Sequence, residues 1–262
     1  MRVLWEQYVH KKQSYEELAK RYGISERTVR RQIDKVKIFR KDIGSGDAVI
    51  AMATTYFGRG FGVMVFRNVY SSRNLFWKFV RHETLEEYVA GIGHLVSNGW
   101  NILGIACDGK RGLFSAFGNT PIQMCQFHQV AIITRYTTTK PKLDAGKELR
   151  EISLNLRHAN KEQFISHLKE WHKKWEAFLS EKTRNPETKR WFYTHRRLRS
   201  AYRSLKTNLI YLFTYLEHPE LKIPNTTNSL EGVFSNLKTK IRVHAGLKIH
   251  RKIKIINELL DQ

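Results

Sequence analysis

Two acids stand where a chain places groups meant to bind cations. Asp108 closes the run Trp100-Asn101-Ile102-Leu103-Gly104-Ile105-Ala106-Cys107, which reads as a buried strand, and Gly109 follows it. Glu231 falls in the first turn of a helix expected to start near Asn228-Ser229 and to run through Phe234, Leu237 and Ile241. A few convergent carboxylates suit Mg2+, which prefers oxygen ligands and keeps several waters. Two such ions about 4 Å apart are the apparatus for phosphodiester chemistry, one for the attacking oxygen and one for the leaving oxygen. Each acid also has an ordinary reading. Asp108 can begin a turn or cap the next helix, and Glu231 can be an exposed acid favoured by the helix dipole.

Cys125 and His128 form a C-x-x-H pair shortly after the first of these acids. The spacing is that of half a zinc site, but no convincing second half exists in the sequence. The alternative is a thiol and an imidazole used for packing and hydrogen bonding. Only two cysteines are present, Cys107 and Cys125, which excludes a disulfide framework and a four-cysteine zinc ribbon and suits a reducing compartment.

The elements that must position these groups are legible from periodicity. Residues 1 to about 40 read as three short helices. The first buries Val3, Leu4, Tyr8 and Val9. The second opens at Ser14 with Glu17 three residues on, a capping box, and turns Leu18, Ala19 and Tyr22 inward. After Gly23-Ile24, Ser25 caps a third helix from Glu26 to about Val36. A small residue at the crossing, a glycine turn, and Ile24 and Val29 as plugs make a helix-turn-helix pattern. Its third helix points Arg27, Thr28, Arg30 and Arg31 outward, suited to phosphates and guanine edges. A basic amphipathic helix in any small bundle is the rival reading.

From about residue 47 the pattern becomes strand-like, over 48–55, 60–68 and about 75–80. A helix over about 85–96, the strand ending at Asp108 and a short helix near 112–117 follow. Three hairpin-connected strands, a helix and a fourth strand are the order of an RNase H-like core. A Rossmann-type sheet needs helices between the early strands. The expected class is therefore α/β, an RNase H-like mixed sheet with an all-helical insertion, preceded by a small helix-turn-helix domain. The expected boundaries are 1–42 for that domain, 43–140 for the first part of the core, 141–222 for the insertion, and 223–262 for the final helix and a basic tail. The insertion's aromatics, Trp171, Trp175, Trp191, Tyr193, Tyr202 and Tyr211, mostly fall at helical spacing and read as core.

The 262-residue chain carries 46 Lys and Arg against 24 Asp and Glu, a net charge of +22. An excess of that size points to a polyanion, because each neutralised phosphate releases a condensed counterion. Acidic protein or lipid is the alternative partner. No apolar run reaches the roughly 18 residues of a membrane span, and no secretory signal is present. The chain opens directly on the helical pattern Arg2-Val3-Leu4-Trp5, which is read as the trimmed start of a longer protein.

Four strings resemble those of bacterial Mutator-like insertion-sequence transposases, over roughly residues 48 to 245. They are Ala53-Thr54-Thr55-Tyr56-Phe57-Gly58-Arg59, Cys107-Asp108-Gly109, Cys125-Gln126-Phe127-His128 and Asn225-Thr226-Thr227-Asn228-Ser229-Leu230-Glu231-Gly232. The resemblance implies a DDE-type enzyme in which Asp108 and Glu231 are the second and third acids of the triad. It sets His128 beside the scissile phosphate or a metal-bound water, with Cys125 and Asn228 as support. It further implies two Mg2+ (or Mn2+) ions in the active form and double-stranded DNA as partner, both terminal inverted repeats and target. A homodimer or larger assembly on DNA, no membrane, and a cytoplasmic, nucleoid-associated location complete the expectation. Lys248 and Arg251, in the basic tail, are expected to touch phosphates.

The departure is at position 53. The family's first acid is expected there, immediately before the Thr/Tyr/Phe/Gly run, and this chain has Ala53. Asp47 lies about six residues, roughly 20 Å of extended chain, too early to replace it. One missing carboxylate in an otherwise intact motif reads as an inactivating substitution, since decay would scatter changes across the motifs. The chain is then expected to bind DNA without cutting it. Two rivals share these residues: a non-catalytic regulator derived from a transposase, and a structure-selective nuclease that hydrolyses without joining strands.

Overall fold

The computed structural model describes residues 1–110, 112–244 and 246–261. Three short helices open it, α1 (Arg2–Val9), α2 (Tyr15–Tyr22) and α3 (Glu26–Lys35). Strands β1 (Gly46–Tyr56), β2 (Gly62–Asn68) and β3 (Asn74–Val80) follow, then α4 (Leu85–Ser97) and β4 (Trp100–Cys107). After α5 (Leu113–Ala116) and β5 (Ile122–Met124) come α6 (Gln126–Thr137), α7 (Asp144–Leu154) and α8 (Lys161–Ser180). A hairpin of β6 (Lys182–Arg184) and β7 (Trp191–Tyr193) leads to α9 (Arg196–Leu212), α10 (Thr214–Glu217), α11 (Asn228–Val243) and α12 (Ile249–Leu260).

Five strands form a mixed sheet in the order β3-β2-β1-β4-β5. β2 and β3 pair antiparallel, Gly62 opposite Val80 and Phe66 opposite Phe76, with a shift of register between Phe66 and Arg67. β4 and β5 run parallel, with Cys107 opposite Met124. β1 stands third of the five, and its stretch from Ala48 to Ala53 is buried throughout. A strand covered on both faces needs such an unbroken apolar run, which is why β1 shows no alternation. Contacts divide the chain into two compact units. One comprises Met1–Gly46, Ala53–Asn101 and Asn228–Gln262, and the other Asp47–Met52 and Ile102–Thr227.

In the first unit the helix ends are built as the sequence predicts. The Glu17 N–H donates to Ser14 Oγ (3.1 Å) and the Ser14 N–H to Glu17 Oε2 (2.6 Å), closing the capping box. Gly23 ends α2 with φ +64°, a left-handed conformation that glycine adopts without strain. The Ser25 hydroxyl accepts from the Thr28 N–H at 3.2 Å and starts α3. Leu4, Tyr8, Val9, Leu18, Val29 and Ile33 are buried. Two inward assignments fail: Val3 is 56% exposed and Tyr22 41% exposed, while Trp5 takes the buried place on α1. In α4, Gly91 sits against the Phe66 ring of β2, where a Cβ would collide with three ring carbons.

The basic C-terminal tail is also corrected. It is an amphipathic helix, α12, that buries Ile255, Ile256, Leu259 and Leu260. The alternating Lys and Ile of 248–254 hid this, because period two reads as strand while the apolar face of the helix lies further on, at 255, 256, 259 and 260. Side chains of α12 reach the N-terminal helices and β3. Arg251 grips Asp34 through Nε (2.7 Å) and Nη2 (2.6 Å), and Arg2 meets the buried Glu258 at 2.7 Å. Lys254 donates to the Ile33 carbonyl at 2.5 Å, and Asn257 accepts from the Trp77 indole at 2.8 Å.

The second unit packs α6 to α9 around Ile133, Leu149, Phe164, Trp171, Leu205 and Phe213. The Trp171 indole N–H donates to the Ala145 carbonyl at 3.0 Å, so a large ring is buried with its polar atom satisfied. The region expected to be all-helical contains the β6–β7 hairpin, with Lys182 opposite Tyr193 and Arg184 opposite Trp191. Asn185 nucleates its turn by accepting from the Glu187 and Thr188 N–H groups, both at 2.9 Å. As a result Trp191 and Tyr193, assigned to core on helical spacing, are exposed by 65% and 39%. Among the described residues no helix is long and apolar enough to cross a membrane.

Candidate functional site

The carboxyl end of β4 gathers two of the four strings and the opening residues of a third, Asn225 to Thr227, all within the second unit. Asp108 follows Cys107 directly and is half-buried. Gly109 comes next and passes close over the Met124 side chain, where a Cβ would press on the methyl end. The Cys125 N–H donates to the Cys107 carbonyl at 2.8 Å, fixing the start of the C-x-x-H pair beside Asp108. The Gln126 N–H donates to the Asn225 carbonyl at 2.9 Å, and the Asn225 amide returns a bond to Gln126 Oε1 at 3.2 Å. The Thr227 N–H then donates to Cys125 Sγ at 3.3 Å. Segments roughly a hundred residues apart in sequence are thus joined around one thiol.

The electrostatics of the two cysteines diverge. Burial pushes the Cys107 thiol well up, and the neighbouring charges of Asp108 and Cys125 add to that. Burial also acts upward on Cys125, but hydrogen bonds from His128 and Thr227 outweigh it and bring that thiol below its ordinary value. His128 and Thr227 therefore stabilise whatever negative charge resides on the sulfur. The ring of His128 is half-buried on the first turns of α6.

Buried glutamines behind this cluster hold it to the helical region. Gln123 and Gln126 each donate to the Leu212 carbonyl, at 3.0 and 2.9 Å, and the Tyr215 N–H donates to Gln123 Oε1 at 3.0 Å. Sequence reasoning missed Thr227, Asn225 and these glutamines as positioning groups. For Gln123 and Gln126 the only signal was a polar residue among apolar neighbours, which marks a buried polar group that must find partners; Asn225 and Thr227 lie in a polar run that gave no such signal.

The remaining candidates lie in the first unit. Ala53 is buried on β1, and its methyl offers no ligand atom. Asn228 and Glu231 are exposed in the first turn of α11. Arg27, Thr28, Arg30 and Arg31 surround an open concavity of about 600 Å3 on α3, shared with Asp34 and Lys35. Arg30 is paired there with Glu26 at 2.9 Å and lies over the Tyr15 ring. Lys248 is exposed at the start of α12. Arg251, by contrast, is committed to Asp34, so a phosphate would have to compete with a two-pronged carboxylate pair for it.

A pair of divalent ions needs several convergent oxygen ligands. Among the described residues no group of three or more His, Cys, Asp or Glu side chains comes together to hold one. Ala53 stands on the strand where the first acid is expected. No known family model and no curated protein matches the chain.

Proposed function

We propose that this chain is a DDE-type transposase that binds the terminal repeats of a mobile element and is held short of cleavage by Ala53. The observation that carries this reading is the hydrogen-bonded cluster at the end of β4. Cys107-Asp108, Cys125-His128 and Thr227, which come from three separate strings of the resemblance, meet there around one thiol. The strand order β3-β2-β1-β4-β5, with β1 in the middle, supports an RNase H-like core. In such a core Ala53 on β1, Asp108 after β4 and Glu231 on α11 are the three positions of the triad. The capped α2 and α3, with Gly23 between them, support a helix-turn-helix that lays Arg27, Thr28, Arg30 and Arg31 along duplex DNA. Lys248 adds a phosphate contact, and pairing of two element ends requires at least a dimer on DNA. His128 and Asn228 are assigned to the scissile phosphate's surroundings.

Ala53 itself favours a second reading, a transposase-derived regulator that binds and never cuts. End cleavage and strand transfer separate the two, using the chain and its Ala53→Asp variant on DNA carrying the terminal repeat, with Mg2+ or Mn2+. Cutting and joining by the Asp variant alone establishes position 53 as the missing ligand. Tight binding by both with no reaction from either favours the regulator. Full activity with Ala53 in place removes the active-site assignment altogether.

A further inference from the structure

We infer that the β6–β7 hairpin is a binding surface for an unpaired DNA strand, with Trp191 as the platform on which a base stacks. Of the six tryptophans, Trp191 is the one that is exposed, at 65%. Its strand partner is Arg184, and the next residue on the same face, Tyr193, lies opposite Lys182. Directly opposed residues of a hairpin share one side, so a single face presents two aromatic rings interleaved with two cations. Phe192, on the other face, lies under Arg196 at 4.1 Å, and Tyr193 lies under Arg199 at 3.5 Å.

Charge decides the class of partner. Lys182, Arg184, Lys189, Arg190, Arg196 and Arg197 stand in residues 182–197 against the single acid Glu187. An acidic protein surface would answer that charge but leave the indole face unused. Beside the hairpin lies a cavity of about 300 Å3 whose wall is partly apolar (Pro141, Leu143, Leu198) and which also presents Lys142, Arg196 and Arg197, cations that can meet phosphate. Aromatic platforms flanked by cations are how proteins hold single strands, because every base has a face to stack and every link carries a phosphate. In a duplex the faces are covered by neighbouring pairs, so Trp191 gains nothing there. The inference rests on the reading that the chain binds DNA. It does not depend on cleavage.

The test is binding of a labelled twenty-residue oligothymidylate, and of a duplex of equal length, to the whole chain and to Trp191→Ala, Trp191→Phe and Lys182→Ala/Arg184→Ala. Trp191→Ala should weaken the single strand by about tenfold and leave the duplex within about twofold. Trp191→Phe should recover most of the loss, and the double variant should weaken the single strand most at low salt, with a shallower dependence on salt than the unmodified chain. Tryptophan emission should fall when the oligothymidylate binds the unmodified chain, and this quench should vanish in Trp191→Ala. Equal single-strand affinity with and without Trp191 overturns the proposal. Binding of duplex without any binding of single strand also overturns it but leaves the DNA reading standing. Binding of neither overturns both.

Discussion

Cys125 is the residue through which the candidate site is most directly measurable. It is buried, yet its proton is lost more easily than from an ordinary thiol, because bonds from His128 and Thr227 outweigh burial. A depressed folded-state pKa stabilises the fold above the unfolded value of about 8.5, and that contribution fades as pH falls through the lowered value. The expected result is a thiolate absorbance step at lower pH than an ordinary thiol gives, absent in Cys125→Ser. In His128→Ala the step should move upward, since one of the two outweighing donors is gone. If His128→Ala leaves the step in place, the imidazole is not acting on the sulfur. Cys107, raised by its burial, should contribute no step in that range. At this scale the sequence names the ligand candidates and the C-x-x-H pair from residue type and spacing. It does not reveal Thr227 as a donor, because a backbone N–H has no letter of its own.

Gly91 shows how element packing overrides local preference. Glycine inside a helix costs about 1 kcal/mol relative to alanine, so α4 alone would gain from Gly91→Ala. The Phe66 ring occupies the space of the missing Cβ and is itself fully buried. Overpacking of that kind costs about 1–3 kcal/mol and is expected to win. Urea unfolding should show Gly91→Ala less stable than the unmodified chain, and an equal or greater stability would mean that Phe66 yields freely. The strands and α4 were legible because each has one dominant pattern: an unbroken apolar run in β1, a capped amphipathic stretch in α4. The hairpin and α12 were not. β6 and β7 are three residues each, too short for a period to declare itself. In α12 the charged residues come first and the apolar face last, so the segment resembles a tail until its partners Asp34, Ile33 and Trp77 are known.

For the whole molecule the governing quantity is the charge of +22, and it makes a prediction that needs no knowledge of the recognised sequence. If the excess serves DNA, binding must release counterions, and affinity must fall steeply with salt. A duplex contact that neutralises about six phosphates gives a slope of log K against log salt near −5, a loss on the order of a thousandfold between 50 and 200 mM. The contributors are distinguishable. Arg27 and Arg31 are exposed on α3, and replacing either by Ala should reduce the slope by about one. Arg30 must first leave Glu26, so Arg30→Ala should change the slope less. Arg251 is already neutralised by Asp34, and Arg251→Ala should lower stability while leaving the slope nearly unchanged. A slope near zero for the unmodified chain would assign the charge to another partner and remove the main support for DNA. A steep slope insensitive to Arg27 and Arg31 would keep DNA and move the contact away from α3.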